Sequence, residues 1–191
     1  KILRSDGKIL DSTGQFLSIW RTAKERGYGK PDSGQFEQGG FIFGVNGAVS
    51  FYRKEMLEAV KDKNGYFDSR FGMFYEDLDI SWRAKKRGWL VYYVPAALAY
   101  HVRGGSFRPD SGINKAFARK YLNGQLHCDL IKNRYLTILK NETFLGLLLH
   151  FIPILIYDLC AWVYVLFFQP KVIKLFFSKL KNSGNIYKKS F

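Results

Sequence analysis

Cysteine is scarce in this chain of 191 residues, and acidic residues are few compared with basic ones. The two cysteines, Cys128 and Cys160, belong to no CxxC pair. A disulfide framework is therefore not expected, and a reducing compartment is the default environment. The sequence has no repeats of about 20–50 residues and no heptad run, which excludes a solenoid and a coiled coil. Walker, GxGxxG, HExxH and GxSxG motifs are missing too.

Basic residues exceed acidic ones by 30 to 16, which gives a formal charge of +14. Such a surplus favours anionic partners, namely nucleic acid, nucleotide phosphates or a membrane surface. The surplus is uneven, because residues 1–118 carry 19 Lys+Arg and 13 Asp+Glu whereas residues 119–191 carry 11 and 3. We therefore predict two units, 1–118 and 119–191.

Strand and helix patterns alternate along the first unit, which is typical of an α/β or α+β fold. Residues 76–87 predict a helix with an acidic first turn and a basic last turn, and Gly88 suits its C-terminal end. Residues 20–40 are rich in glycine and predict a loop. The predicted strands lie within 1–14, 41–53, 89–94 and 99–102, and the other predicted helices lie at 54–60 and 116–140.

An apolar run follows at residues 144–168. As a helix it would be about 37 Å long, enough to cross a hydrocarbon core of ~30 Å. Pro153 should break or kink such a helix, and Asp158 at its middle would cost about 2.5–3.5 kcal/mol. Two short helices in the membrane interface, or a buried helix pair of a larger soluble fold, are therefore alternatives to one spanning helix.

Lysines follow this run directly, and they favour contact with an anionic membrane surface on the cytoplasmic side. They are Lys171, Lys174, Lys179, Lys181, Lys188 and Lys189. We therefore expect the protein at the cytoplasmic face of a membrane, either peripheral or with one transmembrane or re-entrant segment at 144–168.

The acidic cluster at residues 76–79 is the first candidate for chemistry. At a helix N-terminus, free backbone N–H groups can keep a carboxylate ionised, and such a carboxylate could accept a proton from an alcohol or bind a metal. The alternative is an ordinary acidic first turn. Glycines among residues 44–48 indicate either a ligand that approaches the backbone closely or a tight turn.

His101 is the second candidate, because it follows a predicted strand and precedes a glycine-rich segment. A neutral imidazole could ligate a divalent metal there, and the glycine-rich turn could offer N–H groups to a phosphate. The alternative is a histidine at a strand end that bonds to backbone.

These elements occur in an order that resembles the C-terminal half of a family-2 inverting glycosyltransferase with the GT-A fold, of the bacterial rhamnosyltransferase-like type. The resemblance covers about residues 1–141. It is carried by residues 11–14, 43–48, 51–57, 65–68, 71–83, 88–89, 94–97, 101, 105–106, 132–135 and 140–141. It implies an incomplete GT-A-type mixed sheet with flanking helices, followed by apolar C-terminal helices.

The resemblance also implies roles for particular residues. Asp77 would be the general base that deprotonates the acceptor hydroxyl, and His101 would help hold a divalent cation, Mg²⁺ or Mn²⁺. The donor and acceptor pocket would include Asn46, Gly47, Ala48, Glu76, Asp79, Trp82 and Arg83. The diphosphate loop would include Arg103, Gly104, Gly105 and Ser106.

The implied reaction moves a sugar from a nucleotide-sugar donor to a hydroxyl of a glycan or lipid-linked acceptor, with inversion, in cell-envelope polysaccharide biosynthesis. The family's N-terminal half carries a nucleotide-binding unit and an Asp-x-Asp motif, and no Asp-x-Asp lies upstream of Phe41. We therefore expect a fragment that is poorly active or inactive by itself. The alternatives are a basic membrane-anchored scaffold and a nucleic-acid-binding module without catalysis, although no nucleic-acid partner is expected.

Overall fold

The structure, a computed structural model, describes residues 1–103 and 122–188, with side chains described as far as residue 180. It is a mixed α/β fold, as the sequence predicts. The strands are β1 (Ile2–Arg4), β2 (Leu10–Ser12), β3 (Gln15–Leu17), β4 (Ala23–Glu25), β5 (Gly40–Ile42), β6 (Val91–Tyr93) and β7 (Ala99–His101). The helices are α1 (Lys54–Val60), α2 (Glu76–Lys86), α3 (Gly124–Asn141), α4 (Phe144–Phe168) and α5 (Lys171–Lys188).

The described strands form three small sheets. β1 lies between β2, which is antiparallel to it, and β7, which is parallel to it. The parallel register sets His101 opposite Arg4. β3 pairs with β4, and β5 pairs with β6, both antiparallel. The pairing of β1 with β7 brings the start of the chain next to the strand that ends at His101. Only two residues separate β2 from β3, so the second sheet follows the first directly.

The prediction of strand, turn and strand over residues 1–14 is confirmed, with Gly7 at a φ of 67° in the turn. Residues 20–40 are mostly loop, as predicted, but Ala23–Glu25 forms the short strand β4, which was not expected. The β-rich segment 41–53 is also shorter than expected, and its pairing ends at Ile42. Both differences arise because β4 and β5 are held by partners rather than by strong local preference.

Helices α1 and α2 occur where the sequence predicts them, and they bury one cluster between them. Met56 and Val60 of α1 pack with Ile80 and Ala84 of α2. Gly88 follows the end of α2 with a φ of 80°, which an L side chain rarely adopts. This packing fixes α2, and with it the acidic cluster at its first turn.

Three helices occupy most of the described residues 122–188. α3 begins at Gly124, where the Asn123 side chain accepts a hydrogen bond from the backbone of Leu126. The part of the predicted helix before residue 122 lies outside the described residues. α4 is one helix of 25 residues with Pro153 inside it, so of the two expected effects of Pro153, a break or a kink, the break is wrong. By length and composition α4 could cross a membrane.

Candidate active site

A strained turn leads into α2. Phe74 and Tyr75 both have positive φ, at 76° and 72°. Non-glycine residues in this conformation cost about 1–3 kcal/mol each and persist where the surroundings hold them. Asn133 of α3 provides that hold. Its amide nitrogen lies 2.7, 2.7 and 2.8 Å from the carbonyl oxygens of Phe71, Met73 and Phe74. The turn therefore depends on a helix that comes 60 residues later in the chain.

Asp77 lies in the first turn of α2 with its carboxylate surrounded by N–H donors. Oδ2 accepts from Gln15 Nε2 at 2.8 Å and from the backbone N–H of Gly47 at 3.0 Å. Oδ1 accepts from the backbone N–H of Leu78 at 2.7 Å. Burial raises the pKa of Asp77 and outweighs these hydrogen bonds, which lower it. A half-buried carboxylate with a raised pKa has an increased affinity for a proton.

A second carboxylate, Glu25, lies behind Asp77. Gln15 Nε2 bridges the two, because it is also 3.0 Å from Glu25 Oε1. Asn46 Nδ2 donates to the same Glu25 oxygen at 2.7 Å, and Ser12 donates its hydroxyl to the other one. Burial raises the pKa of Glu25, and the negative charge of Asp77 adds to that shift. Proton affinity is therefore increased at both carboxylates.

His101 and Arg103 form a further group on Asp11. His101 Nδ1 lies 2.8 Å from Asp11 Oδ2, and Arg103 Nε donates to Asp11 Oδ1 at 2.5 Å. Burial works to lower the pKa of Arg103, but Asp11 and the more distant Tyr28 and Glu25 outweigh it and raise the pKa. Asp11 precedes Ser12, whose hydroxyl donates to Glu25, so the Asp11 group adjoins the network that contains Asp77.

An open cleft of about 410 Å³ lies beside this network. Ser12 and Asn46, which both bond to Glu25, are part of its wall, whereas Asp77 and His101 lie outside its lining. The glycines of residues 44–48 allow close packing there. A Cβ on Gly44 would come within 2.8 Å of the Ser81 side chain, and one on Gly47 would lie 3.3 Å from the Cβ of Asp77. The expected close approach is therefore made by the protein's own helix α2.

The other residues expected in the pocket divide into two groups. Ala48 lies in the exposed turn beside Gly47, where its N–H donates to Asn46 Oδ1 at 2.9 Å. Glu76 is half-buried next to Asp77, and burial raises its pKa. Trp82 is buried, with the Arg21 guanidinium 5.8 Å from its ring centre.

Asp79 and Arg83 form the second group, on the side of α2 that packs against α1 and α3. Arg83 Nε donates to Asp79 Oδ2 at 2.9 Å, and Asn141 Nδ2 donates to Asp79 Oδ1 at 2.7 Å. Both side chains are buried in these contacts. Their place in a substrate pocket stays a prediction, and these contacts do not support it. Gly104, Gly105 and Ser106 lie outside the described residues.

Four residues of the network were missed as functional candidates by sequence reasoning: Asp11, Gln15, Glu25 and Asn133. Asp11 and Asn133 do belong to motifs that carry the resemblance, which was the available signal. Gln15 and Glu25 lie in no recognisable motif. Gln15 reaches Asp77 across 62 positions of sequence, so no local spacing could have indicated the contact.

The chain belongs to the glycosyltransferase-like family 2, because the model of that family matches residues 15–120, more than half of the chain. Domains of this family transfer sugars from nucleotide-sugar donors to glycan acceptors, and members commonly use divalent cations. No curated protein and no solved structure matches the chain with significance. The matched segment contains Gln15, Glu25, Asn46, Asp77 and His101.

The residues around His101 fit one ligand of a divalent cation. A metal-ligating histidine commonly has its other ring nitrogen bonded to a carboxylate, which orients the ring. The Nδ1 contact with Asp11 is of that kind, and it leaves Nε2 as the nitrogen that could meet a cation. Among residues 1–103 and 122–180, no group of three His, Cys, Asp or Glu side chains could hold a metal ion. Further ligands would have to come from elsewhere.

Proposed function

We propose that this chain supplies the acceptor side and the general base of an inverting glycosyltransferase, with Asp77 as that base. The observation that carries the proposal is the position of the Asp77 carboxylate. It is fixed by Gln15, Gly47 and Leu78, and burial raises its pKa. The exposed turn at Gly47 leaves room for an acceptor to approach.

In the proposed step, the acceptor hydroxyl oxygen forms a bond to the anomeric carbon of the donor. The bond from that carbon to the diphosphate oxygen breaks, so the nucleoside diphosphate leaves with the electron pair and the configuration inverts. The hydroxyl proton passes to the Asp77 carboxylate. Because Gln15 and the Gly47 N–H hold Oδ2, the carboxylate stays in one orientation throughout, which lowers the barrier by positioning.

The leaving diphosphate requires positive charge nearby. His101 would hold the divalent cation, Mg²⁺ or Mn²⁺, which neutralises developing charge when bound. Arg103 lies in the same group through Asp11, and it begins the proposed diphosphate loop with Gly104, Gly105 and Ser106. Asn46, Gly47, Ala48, Glu76 and Trp82 would shape the pocket around the base.

Finer features of the proposal follow from the resemblance. We take residues 1–118 as the acceptor-side part of a GT-A domain of the rhamnosyltransferase-like type, and 119–191 as a helical, membrane-associating tail. A nucleotide-binding part would complete the donor site, so the chain alone should have little activity. A glycan or lipid-linked acceptor at the cytoplasmic face of the membrane, in cell-envelope polysaccharide biosynthesis, suits the basic tail.

The test is the substitution Asp77→Asn. It is made in a protein that contains this chain and any polypeptide encoded directly upstream in the same reading frame. Loss of a general base should lower the rate of sugar transfer by about 10²–10⁴-fold, because asparagine keeps the shape but cannot accept the proton. Asp129→Asn is the matched control, since Asp129 lies on α3 and pairs with Lys132 and Lys179. Transfer by Asp77→Asn at the rate of the unmodified protein would refute the assignment.

A further inference from the structure

One face of α4 is apolar along its whole length, and His150 and Asp158 lie away from it in contacts with the rest of the protein. Hydrophobic residues that flank this face, such as Leu149, Phe151 and Ile156, are exposed too. Large hydrophobic side chains on this face are between 42% and 64% exposed. We call it the outer face of α4, and it comprises Leu145, Leu148, Ile152, Leu155, Leu159 and Val163. Contiguous apolar surface of this extent on a soluble domain marks a site of interaction.

The side of α4 that includes His150 and Asp158, here called the inner face, contacts the rest of the protein near the beginning of the helix and at its middle. Arg21, in the turn between β3 and β4, lies 3.0 Å from His150 Nδ1 and also pairs with Glu142. Arg134 of α3 donates to Asp158 at 2.7 Å. The acidic residue that would oppose burial in a membrane is thus bonded to the body of the protein.

Contacts continue to the other end of the helix. Trp162 donates to the hydroxyl of Tyr135 at 2.8 Å, and Val165 is fully buried among residues of α3 and α5. His127 lies 2.7 Å from Gln169, the residue that ends α4. Between His150 and Gln169 the helix extends about 28 Å, close to the ~30 Å thickness of a hydrocarbon core.

These contacts argue against a crossing. Arg134 is buried and also donates to the backbone carbonyls of Trp20 and Arg21, so it is part of the folded body. If α4 crossed a bilayer, this part of the body would have to enter the hydrocarbon with it. Charged and irregular backbone groups are costly there. A helix that lies in the plane of the interface exposes only its outer face to lipid.

The charge of residues 119–191 indicates which kind of surface the outer face of α4 binds. The three acidic residues of 119–191 are Asp129, Glu142 and Asp158, and each is in an ion pair within the protein. The region has 11 basic residues and 3 acidic ones, and Lys171 and Lys174, at the start of α5, are exposed members of that basic surplus. Such a surplus attracts anionic lipid headgroups.

We propose that α4 binds flat on an anionic lipid bilayer, with its outer face in the acyl boundary, and does not cross the membrane. The proposal does not depend on the assignment of Asp77. The outer face of α4 contacts the lipid itself, and the lysines of α5 lie at the headgroups. The domain would then be held at a fixed distance and orientation above the membrane.

Vesicle flotation of the full chain tests the binding. The protein should float with vesicles of phosphatidylcholine and phosphatidylglycerol, and much less with phosphatidylcholine alone. Leu159→Glu should weaken the partition coefficient about tenfold or more, whereas Leu98→Glu, at a residue of similar exposure outside the tail, should not change it. Lys174→Gln should weaken it about fivefold, and Lys54→Gln should not. Equal flotation of Leu159→Glu and the unmodified chain would overturn the proposal. A dimer in solution that ignores vesicles would do so as well.

Topology is tested in proteoliposomes with a double-cysteine protein, Ser5→Cys with Ser178→Cys, in a Cys160→Ser background. Cys128 is buried and should not react. A membrane-impermeant maleimide is added outside, and the mass of the intact protein is measured. A helix in the plane puts both cysteines on one side, so molecules should carry two labels or none. A crossing helix separates them, and a population with a single label, which gains the second in detergent, would exclude the flat arrangement.

Discussion

Asp77 and Asp79 lie two residues apart on α2, yet their carboxylates have different surroundings. Among the described residues, Asp77 is held by N–H groups of Gln15, Gly47 and Leu78 and by no cation. Asp79 is fully buried and is held by two cations and an amide, with Arg83 at 2.9 Å, Lys140 at 3.2 Å and Asn141 at 2.7 Å. Residues two apart on a helix point to nearly opposite sides. One side of α2 therefore has a carboxylate available for chemistry, and the other has one committed to the fold.

Removal of the Asp77 carboxylate and removal of the Asp79 carboxylate should therefore lower the free energy of unfolding by different amounts. A desolvated carboxylate without a cation adds little to stability, because burial opposes its charge. A carboxylate in a buried ion pair leaves an uncompensated charge behind when it is removed. The comparison can therefore be tested by changing each side of α2 separately.

Asp79→Ala should have the largest effect on stability. It removes the carboxylate that Arg83 and Lys140 share, so Arg83 loses its ion pair while Lys140 keeps Asp68. We expect the free energy of unfolding to fall by about 3 kcal/mol. Asp77→Ala should change it by about 1 kcal/mol or less. Urea denaturation of both variants and the unmodified chain measures the difference. Equal losses in the two variants would contradict the distinction between the two sides.

Two asparagines of α3 sharpen the comparison, because Asn133 supports the turn before Asp77 and Asn141 supports Asp79. Each change to alanine should cost about 1–3 kcal/mol of unfolding free energy, since buried groups lose their partners. Only Asn133→Ala should also lower the rate of sugar transfer per folded molecule, because the strained turn would position the proposed base. Gln125→Ala, at an exposed residue of the same helix, is the control. Equal activity in the two folded asparagine variants would oppose a positioning role for Asn133.

The smallest expected effect is on the pH dependence of stability, which should have opposite signs for carboxylates on the two sides of α2. The folded-state pKa of Asp77 is raised, so its contribution is present below the unfolded pKa and is lost as pH rises. Asp68 also bonds to Lys140, on the side of α2 where Asp79 lies. Burial works to raise the pKa of Asp68, but Arg70 and Lys140 outweigh it and lower the pKa. Its contribution is present above the unfolded pKa and is lost as pH falls.

As the pH rises from about 4 to about 7, Asp77→Asn should therefore gain stability relative to the unmodified chain. As the pH falls below about 4, the unmodified chain should lose the contribution of Asp68, whereas Asp68→Asn has none to lose. Each change is about 1.4 kcal/mol for every unit of pKa difference within its window. Denaturation midpoints measured across both pH windows give these changes. The same sign in both variants would contradict the prediction.

Several elements follow from local sequence. The helix at residues 54–60 and the start of the helix at residue 76 agree with the structure, because spacing of apolar residues and the charges of the first and last turns act within a few residues. The turn at Asp6 and Gly7 and the long apolar helix are local in the same sense. The strand β4 depends on its pairing with β3 and was not predicted. For residues 144–168 the sequence left one helix and two short helices open, and the structure has one.

The sequence by itself determined the class of fold, the acidic cluster at the start of a helix, and the uneven charge of the two units. Charge and spacing could not separate Asp77 from Asp79, since both are acidic residues of one helical turn, and only the family resemblance implied Asp77 as the base. Only the tertiary structure decided that Gln15 reaches one of them and that Lys140 and Asn141 reach the other. The physical reason is that burial and distant donors set the proton affinity of a carboxylate, and neither is encoded by its neighbours in sequence.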